Sequence, residues 1–191
     1  MTTAVASDAA GYDRVSRAAH WAVAALALIV VSLGWAIQGV PRNTSGRDLL
    51  LLLHRSLGLM IFLGMLFFAA WRWRHPPPPL PPGLLRFERA LARFTHVLLY
   101  LIFIIMPLSG YLNAAAAGHA VDLFGLVSLS PPLPENDRLS QIAIAVHLVG
   151  QYGVYFLVLL HLAGALFHGL IRRDGVIERM LPFSRPAGQR V

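Results

Sequence analysis

The residues best able to do chemistry in this 191-residue chain are its eight histidines. There is no cysteine, which excludes disulfides, thiolate metal sites, thioether-attached haem and iron–sulfur ligation. The nine acidic residues fall mostly in polar stretches, so in apolar surroundings imidazole is the strong metal ligand left. His147 and His161 are fourteen residues apart. At about 100° and 1.5 Å per helical residue they share one stripe, separated by about 21 Å along the axis. Two imidazoles approaching from facing helices can hold one iron from opposite sides, as a low-spin b haem requires. One helix with two such histidines serves two such sites.

Elements able to position them follow from composition. Some 57% of residues are hydrophobic and 13% charged, against about 25% charged in a soluble domain. A hydrocarbon core of about 30 Å needs roughly 20 apolar residues in a helix. Four runs qualify, at about 18–37, 49–71, 94–117 and 142–171. The expected fold is all-α, a four-helix transmembrane bundle forming one membrane-embedded domain over 1–191. The first seventeen residues are polar and small, so no cleavable leader is expected. Connectors are polar or proline-rich. His75 to Gly83 holds six prolines and cannot be helical. Gly118 to Arg138 reads as a surface loop.

All sixteen basic residues are arginine, and the net charge is +7. Twelve share one side: Arg14, Arg17, Arg72, Arg74, Arg86, Arg89, Arg93, Arg172, Arg173, Arg179, Arg185 and Arg190. Four share the other: Arg42, Arg47, Arg55 and Arg138. The positive-inside rule puts both termini in the cytoplasm. The excess is therefore read as topology, with a lipid bilayer and no nucleic acid as partner. Trp21, Trp35, Trp71 and Trp73 lie near span ends, as interfacial anchors.

Depth then sorts the histidines. His54 and His147 lie near the outer face; His20, His96 and His161 lie near the inner face. The outer pair is His54 with His147. On depth alone, the inner partner of His161 is His20 or His96. His96, where it is not the ligand, could bond a haem propionate or line a quinone site; His168 at the inner edge offers a quinone or propionate contact, or reads equally as a solvated interfacial residue. His75 and His119 read as surface residues. Gly58, Gly150 and Gly164 lie three or four residues from a ligand, on its face, and give either haem clearance or ordinary helix packing. Arg55, directly after one candidate ligand, and Arg17, three residues before another, suit propionate pairing, with topology and headgroup contact as the plainer reading. The outer arginines could attract a small anion, though Asp48, Glu135 and Asp137 offset their field.

The order and spacing of several strings resemble the bacterial cytochrome b561 family, related to the cytochrome b subunits of nickel–iron hydrogenases. The strings are Ala19-His20-Trp21, His54-Arg55-Ser56-Leu57-Gly58, Arg74-His75-Pro76-Pro77-Pro78-Pro79, Thr95-His96-Val97-Leu98-Leu99-Tyr100 and Met106-Pro107-Leu108-Ser109-Gly110. The series ends with the fourth-span run from His147 through Gly150, Tyr155 and His161 to His168. The resemblance spans residues 12 to 182. It implies a multi-pass inner-membrane protein with two haem b groups, ligated by His20 and His161 on the cytoplasmic side and by His54 and His147 on the periplasmic side. It thereby selects His20 over His96. It also implies an oxidoreductase that oxidises superoxide outside and reduces ubiquinone as bound substrate. The alternative is an electron-carrier subunit joining the quinone pool to a partner dehydrogenase. A metal-transport reading is disfavoured, because the spans lack buried acids at the midplane.

Overall fold

The computed structural model describes residues 11–79 and 83–181. Arg185, Arg190 and residues 80–82 of the proline linker lie outside the described residues. Four long apolar helices form the protein: α1 (Arg14–Gly39), α2 (Ser45–Arg74), α3 (Arg86–Ala116) and α4 (Asp137–Leu166). Each is long and apolar enough to cross a membrane. Each starts before its expected span, and in α1, α2 and α4 a polar cap carries the helix ahead of the apolar run. The Asp13 carboxylate accepts from the Ser16 N–H at 2.8 Å and its hydroxyl at 2.6 Å, starting α1 four residues before the expected span. Thr44 and Asn136 cap α2 and α4 in the same way. The Arg47 guanidinium finishes α1, donating to the carbonyls of Ile37 and Val40. The fourth span continues from α4 as a π-helical turn, Phe167–Arg172, closed by Arg173 in the left-handed conformation.

Apolar packing gathers the first three helices. Ala27, Ile61, Met65 and Phe68 form the buried centre, with Val23, Tyr100, Phe103 and Ile104 packed on it. Helix α4 packs along α3 alone; among the described residues its backbone approaches neither α1 nor α2. A gap therefore runs between α4 and the α1–α2 pair. Elsewhere large apolar side chains face outward, among them Leu28, Phe67, Val149 and Leu159. In water such a surface is an aggregation liability; in a bilayer it is what lipid solvates.

The segment expected to be a plain loop, 118–138, contains a small antiparallel hairpin. Its strands are β1 (Val121–Leu123) and β2 (Val127–Leu129), with Asp122 opposite Ser128. Phe124 and Gly125 take positive φ at the turn. The fully buried Ser56 pins the hairpin to α2. Its hydroxyl accepts from the Phe124 N–H at 2.9 Å and lies 3.3 Å from the Asp122 carbonyl. Local polarity concealed this in the sequence, because the hairpin gains its register from α2.

At the other end the C-terminal segment folds beneath the bundle. Trp21 donates to the Met180 carbonyl at 2.8 Å, and Tyr12 N–H to that of Arg179 at 3.2 Å. Arg179 reaches the Pro79 carbonyl at 2.8 Å.

Candidate functional site

Four imidazoles cross the gap beside α4. His54 of α2 and His147 of α4 have ring centres 6.0 Å apart. His20 of α1 and His161 of α4 have theirs 6.1 Å apart. Two imidazoles bound to one metal ion from opposite sides, at about 2 Å per bond, place their ring centres about 6 Å apart. Both spacings thus fit an ion held between the rings. His96 of α3 also reaches the inner cluster, with its ring centre 5.3 Å from that of His161.

The outer pair has its orientation fixed by backbone. His54 Nδ1 lies 3.1 Å from the Val30 carbonyl, and His147 Nδ1 2.9 Å from that of Met106. A carbonyl only accepts, so each Nδ1 carries the proton and each Nε2 keeps its lone pair for a metal. Glycine makes both approaches possible. Within an α-helix a carbonyl points toward the residue four positions on. Gly34 follows Val30 by four, and Gly110 follows Met106 by four. A Cβ on Gly34 would lie 3.4 Å from His54 Cε1, and one on Gly110 3.2 Å from His147 Cε1. Ser109 adds its hydroxyl, which donates to the Met106 carbonyl at 2.8 Å and lies 3.2 Å from His147 Nδ1.

In the inner cluster, His96 Nδ1 lies 2.6 Å from the carbonyl of Ala92, one turn back on its own helix. His20 Nδ1 is buried with no hydrogen-bond partner. Beside the histidine stripe, among the described residues no side chain or neighbouring element lies within 4 Å of where a Cβ on Gly58 or Gly164 would stand, which leaves room for a flat group. Gly150 differs: a Cβ there would sit 2.5 Å from Met106 Sδ, so this glycine serves α3–α4 packing. These observations fit a planar metal cofactor at each histidine pair.

The remaining predicted positions have other partners. Arg17 is buried, and its guanidinium donates to the Leu181 carbonyl at 3.1 Å, tying α1 to the C-terminal segment. Arg55 interacts electrostatically with Asp122 of the hairpin. His168 Nδ1 lies 2.7 Å from an Asp174 carboxylate oxygen, at the inner edge. His75 stacks on Trp71, with ring centres 4.0 Å apart. Of the expected interfacial anchors, Trp35 does more: its indole N–H donates to the Tyr155 hydroxyl at 2.5 Å, bridging α1 and α4. Outside the spans, burial raises the Asp13 carboxyl, but hydrogen bonds from Ser16 and Trp71 outweigh it and hold it below its ordinary value.

In the sequence Gly34 does not stand out, Gly110 reads only as part of a family string, and Arg72 only as a topological arginine. Arg72 stands over the Tyr12 ring, its carbon 4.7 Å from the centroid, beside the inner cluster. The signal available for the glycines was their place four residues after a carbonyl, but which carbonyl matters depends on tertiary contact.

The sequence model described as Prokaryotic cytochrome b561 matches residues 11–183. "Cytochrome b561 homolog 2" of Escherichia coli (strain K12) is 29% identical over 170 residues, covering 89% of this chain and 90% of its own. "Cytochrome b561 homolog 1" of the same organism is 25% identical over 167 residues, covering 85% and 92%. "Probable superoxide oxidase CybB" of Yersinia pestis is 29% identical over 170 residues, covering 87% and 93%.

Proposed function

The chain belongs to the prokaryotic cytochrome b561 family of haem b membrane electron-transfer proteins, and on that premise we propose that it is a di-haem superoxide:ubiquinone oxidoreductase. The observation carrying this is the pair of imidazole clamps, 6.0 and 6.1 Å between ring centres, at the two ends of α4. His54 and His147 hold the outer haem; His20 and His161 hold the inner one. The His96–His161 spacing of 5.3 Å is short for a bis-imidazole clamp, which supports His20 as the ligand. Each bound haem supplies a one-electron carrier.

The chain's own residues do the rest. Val30 and Met106 carbonyls fix the outer ligands' tautomer and ring angle. The arginine asymmetry supports a cytoplasmic position for both termini, in a bacterial inner membrane, with the hairpin on the periplasmic side. On that outer face Arg47 is engaged by the α1 carbonyls and Arg55 faces Asp122. The exposed Arg42 and Arg138 are the cations left to attract superoxide. Two superoxide anions give up one electron each and leave as dioxygen; one ubiquinone takes both electrons and two protons. In this reading His168, which lies 2.7 Å from an Asp174 carboxylate oxygen at the inner edge, contacts the quinone headgroup and His96 lines its approach.

The name of the Yersinia relative supports superoxide as donor. A superoxide pulse given to the oxidised protein tests it. Rapid haem reduction that passes to added ubiquinone is expected. Haems that stay oxidised, together with co-purification of a dehydrogenase, would replace this reading with that of a carrier subunit.

A further inference from the structure

We propose that Arg72 binds an anionic carboxylate of the cofactor held by His20 and His161, a haem propionate, an inference that rests on that ligand assignment. Arg72 sits in the last turn of α2, at the same end of the bundle as the inner histidines. Its guanidinium lies over the Tyr12 ring at 4.7 Å and toward that of Phe68 at 6.0 Å, and it reaches the Tyr100 hydroxyl. Aromatic faces attract the cation and hold it in one place. Yet Nη1 is buried and makes no hydrogen bond. Among the described residues no carboxylate pairs with it: Glu88 and Asp174 engage Arg172 and His168, and Asp13 engages Ser16 and Trp71. A buried guanidinium donor left without an acceptor is costly, more so where no counter-charge is near. Arg72 interacts electrostatically with both His20 and His96, which places the charge beside the inner clamp. A planar cation with paired N–H donors is the standard partner of a carboxylate. The inner cofactor's propionate supplies that acceptor and charge. A lipid phosphate is the other anion available at this depth.

The test is potentiometric titration of both haems in the purified holoprotein, in wild type, Arg72→Gln and Arg72→Met. Removing the cation leaves a negative charge beside the inner iron and disfavours its reduced form. The inner haem's reduction equilibrium is expected to shift at least tenfold toward oxidised, a fall of about 59 mV for a one-electron couple. The outer haem should keep its wild-type midpoint. Loss of the inner haem alone supports the proposal equally. Unchanged midpoints in both variants overturn it and point to a lipid phosphate. Equal disturbance or loss of both haems also overturns it, since a residue serving the inner cofactor leaves the outer site intact. A wild-type protein with a single haem, lost on replacing His54 or His147, would instead remove the ligand assignment itself.

Discussion

Gly110 and His147 meet across the α3–α4 interface so closely that a methyl group on the glycine would stand 3.2 Å from Cε1 of the imidazole and 3.3 Å from Nδ1. The ring lies on bare backbone, and its Nδ1–H reaches the Met106 carbonyl because no side chain on residue 110 stands in the way. His54 rests on Gly34 in the same way, slightly less tightly, at 3.4 Å. A carbonyl with glycine four residues later is thus the seat of each outer imidazole.

Gly110→Ala should therefore damage the outer site more than Gly34→Ala. Overpacking of this kind costs about 1–3 kcal/mol. The imidazole has to move a few tenths of an ångström and lose part of its bond to Met106. Outer-haem content and its visible spectrum, measured in both variants, check this. Equal, wild-type behaviour of the two would remove the glycine argument.

The three imidazoles of the inner cluster can be separated by single replacements. His20→Ala should lose the inner haem and keep the outer. His96→Ala should keep both, because His96 bonds its own helix and stands 5.3 Å from His161. Haem-to-chain ratios of one and two are expected, respectively. The reverse pattern would make His96 the ligand.

Ser56 joins two elements far apart in sequence. Ser56→Ala leaves the Phe124 N–H without its acceptor, at a cost of about 1–3 kcal/mol. Hydrogen exchange should then rise over residues 121–129 while the helices keep their protection. Unaltered exchange in the hairpin would show that Ser56 does not hold it.

Asp13 gives the fold an acid limit. Its folded carboxyl is held below the ordinary value of 3.8 by hydrogen bonds that outweigh burial. The stability it adds is complete above that value and is lost as pH falls through the lower, folded one. Asn is about as good an N-cap as Asp, whereas Ala costs about 1 kcal/mol. Thermal midpoints in detergent should fall for Asp13→Ala at neutral pH. For Asp13→Asn they should hold there and lose part of their acid dependence. An acid profile identical to wild type in Asp13→Asn would exclude this carboxylate as its source.

How much of this was legible before the structure depended on how local each signal is. The four spans follow from apolar runs against 30 Å of hydrocarbon, and only their ends moved, because Asp13, Thr44 and Asn136 extend helices into polar sequence. The proposed two-ended role of α4 came from the spacing of His147 and His161 on one helix. What lay hidden depends on contacts between helices. Gly58, Gly150 and Gly164 were singled out on the ligands' own helices; the glycines touching imidazoles are Gly34 and Gly110, on neighbouring ones. The separation of α4 from α1 and α2 has no sequence signature at all. Arg72 read as one topological arginine among twelve, and only its half-buried seat against Tyr12 and Phe68, with Nη1 buried, distinguishes it.

The central claim is that α4 gives one ligand to each of two haems. The most direct measurement is the haem-to-chain ratio of the purified protein and its His147→Ala and His161→Ala variants. Ratios of two, one and one are predicted, the two variants keeping spectrally different haems. A wild-type ratio of one, or the same haem lost from both variants, would contradict it.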